Sequence, residues 1–236
     1  MKNTDSLSDE IKQERKKALE GKSFGYKAKY YIYYYKWYAI GIVAAALLLF
    51  SLINTIRNNK EVVLGVAVVN GVFEADYEGF KNDFVSHIDL NEKQDVDIDS
   101  GYTISAGEQN SFDLQSMQKI FVRMAAGQLD IIIAPEDIFS YFADIGYMTD
   151  LRNVLPQEEI DKYDVLIGHV PDESVEAVDN ANASRHDELS GINIADFPKI
   201  KESGFFENTD GPVYFGFVAD GHNVENSIAF LEYIGQ

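Results

Sequence analysis

Cysteine is absent from all 236 residues. That excludes disulfide staples, thiolate metal sites, a cysteine nucleophile and a lipid attached through cysteine. Charge is absent from the 20 residues Trp37 to Ile56. Basic charge is scarce beyond residue 60, where 9 Lys and Arg face 34 Asp and Glu, a net of −25. A surface that acidic repels nucleic acid and anionic membranes, so neither is a partner for that part of the chain. No Gly-x-Ser-x-Gly, His-Glu-x-x-His, Walker or dinucleotide glycine pattern occurs. The four histidines, His87, His169, His186 and His222, have no ligand spacing. Catalysis finds no support, and no cofactor is implied.

What is present begins with that uncharged run. As a helix, rising about 1.5 Å per residue, 20 residues span roughly 30 Å, the thickness of a bilayer's hydrocarbon core. A cleavable signal would carry a shorter apolar run and a small-x-small site after it. Here 36 residues come before the run, and its small cluster, Ala44 to Ala46, lies mid-run. The run is expected to be an uncleaved anchor. Before it, Tyr26, Tyr30, Tyr33, Tyr34, Trp37 and Tyr38 recur at helical spacing with Lys22, Lys27, Lys29 and Lys36 among them. Tyr and Trp concentrate at the membrane–water boundary, so the segment reads as an interfacial helix feeding the span, with the lipid bilayer as partner.

Five lysines flank the span on its N-terminal side (Lys17, Lys22, Lys27, Lys29, Lys36), against Arg57 and Lys60 beyond it. The richer flank stays in the cytoplasm. Three parts follow: a basic helical segment over 1–29 in the cytoplasm, the aromatic belt and transmembrane helix over 30–56, and an acidic extracytoplasmic domain over 62–236. In the first part, Ser8 or Asp9 is placed to cap a charged helix that runs to Glu20 and stops at Gly21.

In the outer part, "EVVLGVAVVNG" is a continuous Val-rich run, the pattern of a strand buried on both faces. Tyr77, Phe80, Phe84 and Ile88 share a helical face, "DVDIDSGYTISA" alternates as a strand, and Leu114, Met117, Phe121 and Met124 form a second helical stripe closed by Gly127. "LDIIIAPE" is a third strand, followed by a short helix stopped by Gly146. Strands alternating with helices predict an α/β domain, its strands near 62–69, 94–98 and 129–134 adjacent in one mainly parallel sheet. "YDVLIGHV", "SGINIAD" and "GPVYFGFVAD" are expected as an antiparallel C-terminal portion. A last helix begins at Asn223 and packs through Val224, Ile228, Leu231 and Ile234.

"MQKIFVRMAAGQLDIIIAPEDIFSYFADIGYMTDLRNVLP", Met117 to Pro156, resembles extracellular solute-binding proteins of ABC importers, which carry a helix ending in Ala-Gly, then a Leu-Asp strand and a Leu-x-x-x-Leu-Pro turn. Phe217 to Ile234 is similar to a second stretch of that family. The tyrosine belt, span and domain together also resemble Firmicute membrane proteins. The resemblance implies one periplasmic-binding-protein-like lobe, where that family traps its ligand between two. It leaves two functions open. One is a membrane-anchored, non-enzymatic interaction module that holds an envelope protein or transporter subunit. The other is a weak recognition domain for a small sugar-like solute that serves a transporter or sensor.

A ligand crevice belongs at the carboxyl ends of parallel strands. That selects Asn70 and Glu136 as hydrogen-bonding groups and Phe73 and Tyr102 as stacking rings. The alternative assigns Phe73 to the core and Glu136 to a helix cap. Asp95, Asp97 and Asp99 alternate like the opening of a calcium loop, but the glycine is one place late at Gly101 and Ala106 stands where the loop needs Glu, which favours a strand. Asn182, Ala183 and Ser184 fit a glycosylation triplet.

Overall fold

The computed structural model describes residues 4–58, 60–105, 111–172 and 184–236, and it divides into two compact units, Met1–Asn59 and Lys60–Gln236. Ala106, Asn182 and Ala183 lie outside the described residues.

The first unit is helical. Helix α1 spans Thr4–Leu19 and α2 spans Phe24–Asn58. Helix α1 starts earlier than the Ser8 or Asp9 cap predicts and ends one residue short of Glu20. Belt and apolar run form one unbroken helix, in which Tyr35–Thr55 is long and apolar enough to cross a membrane and is not buried within the protein.

In the second unit a six-stranded sheet has the order β2-β1-β3-β6-β5-β4. Strand β1 (Glu61–Val69) lies parallel to both β2 (Gln94–Tyr102) and β3 (Ile131–Pro135). These are the three runs expected to be neighbours. Beyond β3, the strands β6 (Val213–Phe217), β5 (Arg185–Asn193) and β4 (Val165–Pro171) pair antiparallel. The sheet is therefore mixed and parallel at one end only, which corrects the expectation of a mainly parallel one.

Both faces of the sheet are covered, as the unbroken apolar pattern of β1 requires. On one face Leu64, Val66 and Val68 pack with Phe80 and Phe84 of α3 (Tyr77–His87) and with Phe230, Leu231, Tyr233 and Ile234 of the last helix. On the other, Ala67, Val69, Ile132 and Ala134 meet Ile120 and Met124 of α4 (Ser111–Ala125) and Ile138, Phe139 and Phe142 of α5 (Glu136–Asp144). Gly127 takes φ +62, the left-handed conformation that ends α4. Short helices α6 (Gln157–Ile160) and α7 (Pro198–Ser203) precede α8 (Val224–Ile234).

Two helical stripes are rotated from their expected positions. Leu114 is exposed and Ile120 buried, because Asp113 and Ser116 turn inward to hold a loop described below. In α8, Val224 is exposed while Phe230 and Tyr233 turn inward against Phe80 and Phe84. Large rings contribute the most buried area and so set the helix's rotation.

Asp95, Asp97 and Asp99 lie on β2 and are engaged by cations. Lys81 is 3.2 Å from Asp95, Arg123 is 2.6 Å from Asp97, and Lys119 is 2.7 Å from Asp99. Burial works to raise the Asp99 pKa, but Lys119, the Gly101 N–H and the Tyr102 hydroxyl outweigh it and hold the carboxyl below its ordinary value. A carboxylate with a lowered folded pKa contributes stability that is complete above the unfolded value, about 3.9, and is lost as pH falls through the folded one. The urea midpoint of the protein should therefore fall as pH drops below about 4, and Lys119→Met should flatten that acid limb. An acid limb equally steep in Lys119→Met would show that this network does not contribute.

Candidate crevice at the strand ends

Strands β1 and β3 run the same way, and β6 runs against β3 with Pro135 opposite Val213. The carboxyl ends of β1 and β3 and the start of β6 therefore meet at one edge. An open crevice of about 680 Å³ lies there, lined by Asn70, Ile104, Ser105, the first residues of α5 and the 208–212 turn.

Asn70 ends β1 at φ +57, a left-handed conformation that Asn tolerates better than most residues. Its own N–H donates to the Tyr102 carbonyl at 2.9 Å. Its side-chain Nδ2 donates to the Ile104 carbonyl at 2.7 Å, and its Oδ1 accepts from the Ile104 N–H at 2.8 Å. The amide thus prolongs the β1–β2 pairing past the end of the strands and forms the crevice floor. The 103–105 loop is fastened from below. Thr103 N–H donates to Ser116 Oγ at 3.0 Å, and Ser105 N–H donates to the fully buried Asp113 at 3.0 Å.

Glu136 is the first residue of α5, and its N–H donates to the Pro212 carbonyl at 3.2 Å. That bond ties the helix start to the 208–212 turn. Among the described residues the lining holds three carboxylates, Glu136, Asp137 and Asp210, and no Lys, Arg or His. It offers carboxylate, amide and hydroxyl groups, and the Ser105 hydroxyl donates to Asp113 at 3.2 Å.

Of the four residues expected here, the structure brings together Asn70 and Glu136. Phe73 is 88% exposed and stands outside the lining, neither in the crevice nor in the core. Tyr102 is 1% exposed, and its hydroxyl donates to Asp99 at 2.9 Å and accepts from Arg123 at 2.8 Å. Burial and the neighbouring Asp99 hold its pKa far above the ordinary tyrosine value, against the opposing pull of Arg123. Tyr102 is a wedge between β2 and α4, with no ring face left for a ligand. The 208–212 turn was not anticipated. Its signal was "ENTDGP" ahead of an antiparallel strand, since that strand's start must lie beside the end of β3.

In the belt, Tyr33, Trp37 and Tyr38 are largely exposed and Tyr30 is half-buried. The Tyr34 side chain is outside the described residues. The Lys36 ammonium lies 4.8 Å from the Tyr33 ring centre and 5.8 Å from that of Trp37, so cation and rings share one surface.

Compared with known proteins, the chain matches no family model, no curated protein and no solved structure.

Proposed function

We propose that α2 spans a membrane with the residues before Tyr30 in the cytoplasm, and that residues 60–236 form a non-enzymatic interaction module on the outer side. The module docks a cationic surface of an envelope protein or transporter subunit. The observation that carries this reading is the crevice itself. It is open, it holds three carboxylates and no cation among the described residues, and neither ring expected to grip a solute reaches it. The net −25 of residues 61–236 extends the same preference over the whole domain. The βαβ order of β1, α3, β2, α4 and β3 supports derivation from a solute-binding lobe.

Protease added to intact cells is expected to remove the C-terminal domain and leave the N-terminal segment protected. A photoreactive residue at Thr209 is expected to capture one membrane protein, and Asp210→Lys with Glu136→Lys should abolish that capture without loss of folding. Capture unchanged by charge reversal would overturn the docking assignment.

One observation favours a second reading. The crevice volume falls within the range of about 300–1,000 Å³ typical of small-molecule sites. Asn208, Thr209 and Ser105 would supply hydrogen bonds to a polar, sugar-like solute. A thermal shift of the full chain by a sugar, lost on Glu136→Ala, would favour this alternative over docking.

A further inference from the structure

A second recess, of about 560 Å³, lies in the helical unit, between α1 and the start of α2. Leu19, buried at the end of α1, forms part of its wall. Arg15 of α1 reaches α2, where its guanidinium donates to the Tyr35 hydroxyl at 2.9 Å and lies 6.0 Å from that ring's centre. Around the recess stand Lys12, Arg15, Lys16 and Lys27, with Tyr31 and, among the described residues, a single carboxylate, Glu20. Lys12 is 3.4 Å from Asp9, a solvated contact of little strength. Lys16 and Lys27 have no ion pair among the described residues. Four cations thus converge on a cavity whose described lining supplies one counter-charge.

Position along α2 selects the ligand. Tyr31 and Lys27 precede the apolar stretch that starts at Tyr35 by four and eight residues. At about 1.5 Å per residue these are roughly 6 and 12 Å outside the hydrocarbon, the depth of the headgroup layer. Basic pockets beside a transmembrane helix suit anionic headgroups, where fixed cations and a low local dielectric strengthen each contact.

We propose that the α1–α2 recess binds the phosphate headgroup of an anionic phospholipid carrying more than one negative charge, such as phosphatidic acid or cardiolipin. Lys16 and Lys27 contact the phosphate oxygens, Arg15 is held in place by Tyr35, and Leu19 and Tyr31 accept the glycerol end of the lipid. The proposal deepens the membrane reading and rests on α2 being a span.

The only tryptophan, Trp37, is a built-in reporter two residues into the apolar stretch. The full chain is reconstituted in phosphatidylcholine vesicles containing a minor fraction of phosphatidic acid, with bromine on the acyl chains of one lipid or the other. Trp37 quenching then reads which lipid is enriched beside the helix. The wild type should favour brominated phosphatidic acid about 5–10-fold over its bulk fraction, in line with the strength of juxtamembrane basic contacts. Lys16→Ala with Lys27→Ala should remove most of that preference. Lys17→Ala with Lys29→Ala, equal in charge but outside the recess, should retain it.

Equal loss in both double variants would leave only a diffuse charge effect and overturn the site. Displacement of the lipid by about 1 mM inorganic phosphate would assign the recess to free phosphate and overturn it as well. Quenching by brominated phosphatidylcholine without enrichment of phosphatidic acid would overturn the site and leave the span standing. Quenching by neither lipid would overturn both.

Discussion

Asp130→Ala should lower the stability of the outer domain by about 3–6 kcal/mol, because buried main-chain donors left without an acceptor cost about 1–3 kcal/mol each. The carboxylate is 3% exposed and lies where β1, β3 and the start of α8 meet. One oxygen accepts from Gly65 N–H at 2.8 Å. The other accepts from His222 N–H at 2.9 Å and Asn223 N–H at 3.0 Å. The Asn223 amide adds contacts at 3.1 and 3.2 Å. Alanine strands three main-chain donors in a space a methyl group cannot bridge. For a domain of this size, 1 kcal/mol shifts the melting temperature by about 2–4 °C, so a fall of roughly 6–24 °C is expected in a thermal melt. Asp130→Asn keeps one acceptor and turns an NH₂ toward another donor, so its loss should be intermediate. A melt lowered by less than about 2 °C in the alanine variant would show that water replaces the carboxylate without penalty.

Phe139→Ala should cost about 3–5 kcal/mol, the range for emptying a buried ring site. The ring of Phe139 is fully buried in α5 and lies directly over Gly216 of β6 and Gly191 of β5. A Cβ built on either glycine meets the ring at well under contact distance. The slot exists because both positions lack a side chain, so Gly216→Ala alone should also destabilise, by about 1–3 kcal/mol or more through overpacking. In the Phe139→Ala background the same Gly216→Ala should cost far less, because the added methyl enters vacated space. Urea denaturation of the four proteins measures the coupling. Additive losses would mean that ring and glycine do not compete for one volume. Glu136 starts the same helix, so this slot also sets how the acidic edge of the crevice is presented.

Much of the architecture was legible in the residues themselves. The uncharged run from Trp37, the unbroken Val-rich run of β1, and the Gly127 and Gly146 stops encode their elements within short windows. Periodicity and φ preference are local properties, and they specify where helices and strands begin and end. The adjacency of β1, β2 and β3 followed from the βαβ alternation, since short crossovers leave parallel strands few other arrangements. Asn70 and Glu136 were placed by the same logic, because strand ends in a parallel sheet gather at one edge.

What the local pattern could not decide was which groups face one another across the sheet. Tyr102 reads as a free aromatic at a strand end, yet Asp99 and Arg123 draw its hydroxyl inward under α4. Phe73 reads as core or crevice and is neither, because no element among the described residues packs over its turn. The Leu-Asp pair of "LDIII" was visible as a motif, but the role of Asp130 appears only when Gly65 and His222, 65 and 92 residues away, converge on its carboxylate. The basic recess likewise needs α1 to meet α2 through Arg15 and Tyr35, 20 residues apart. Local pattern determined an apolar helix and an α/β domain; tertiary packing alone decided which side chains are used up inside the fold and which remain to meet a partner, because burial and hydrogen-bond satisfaction depend on contacts distant in sequence.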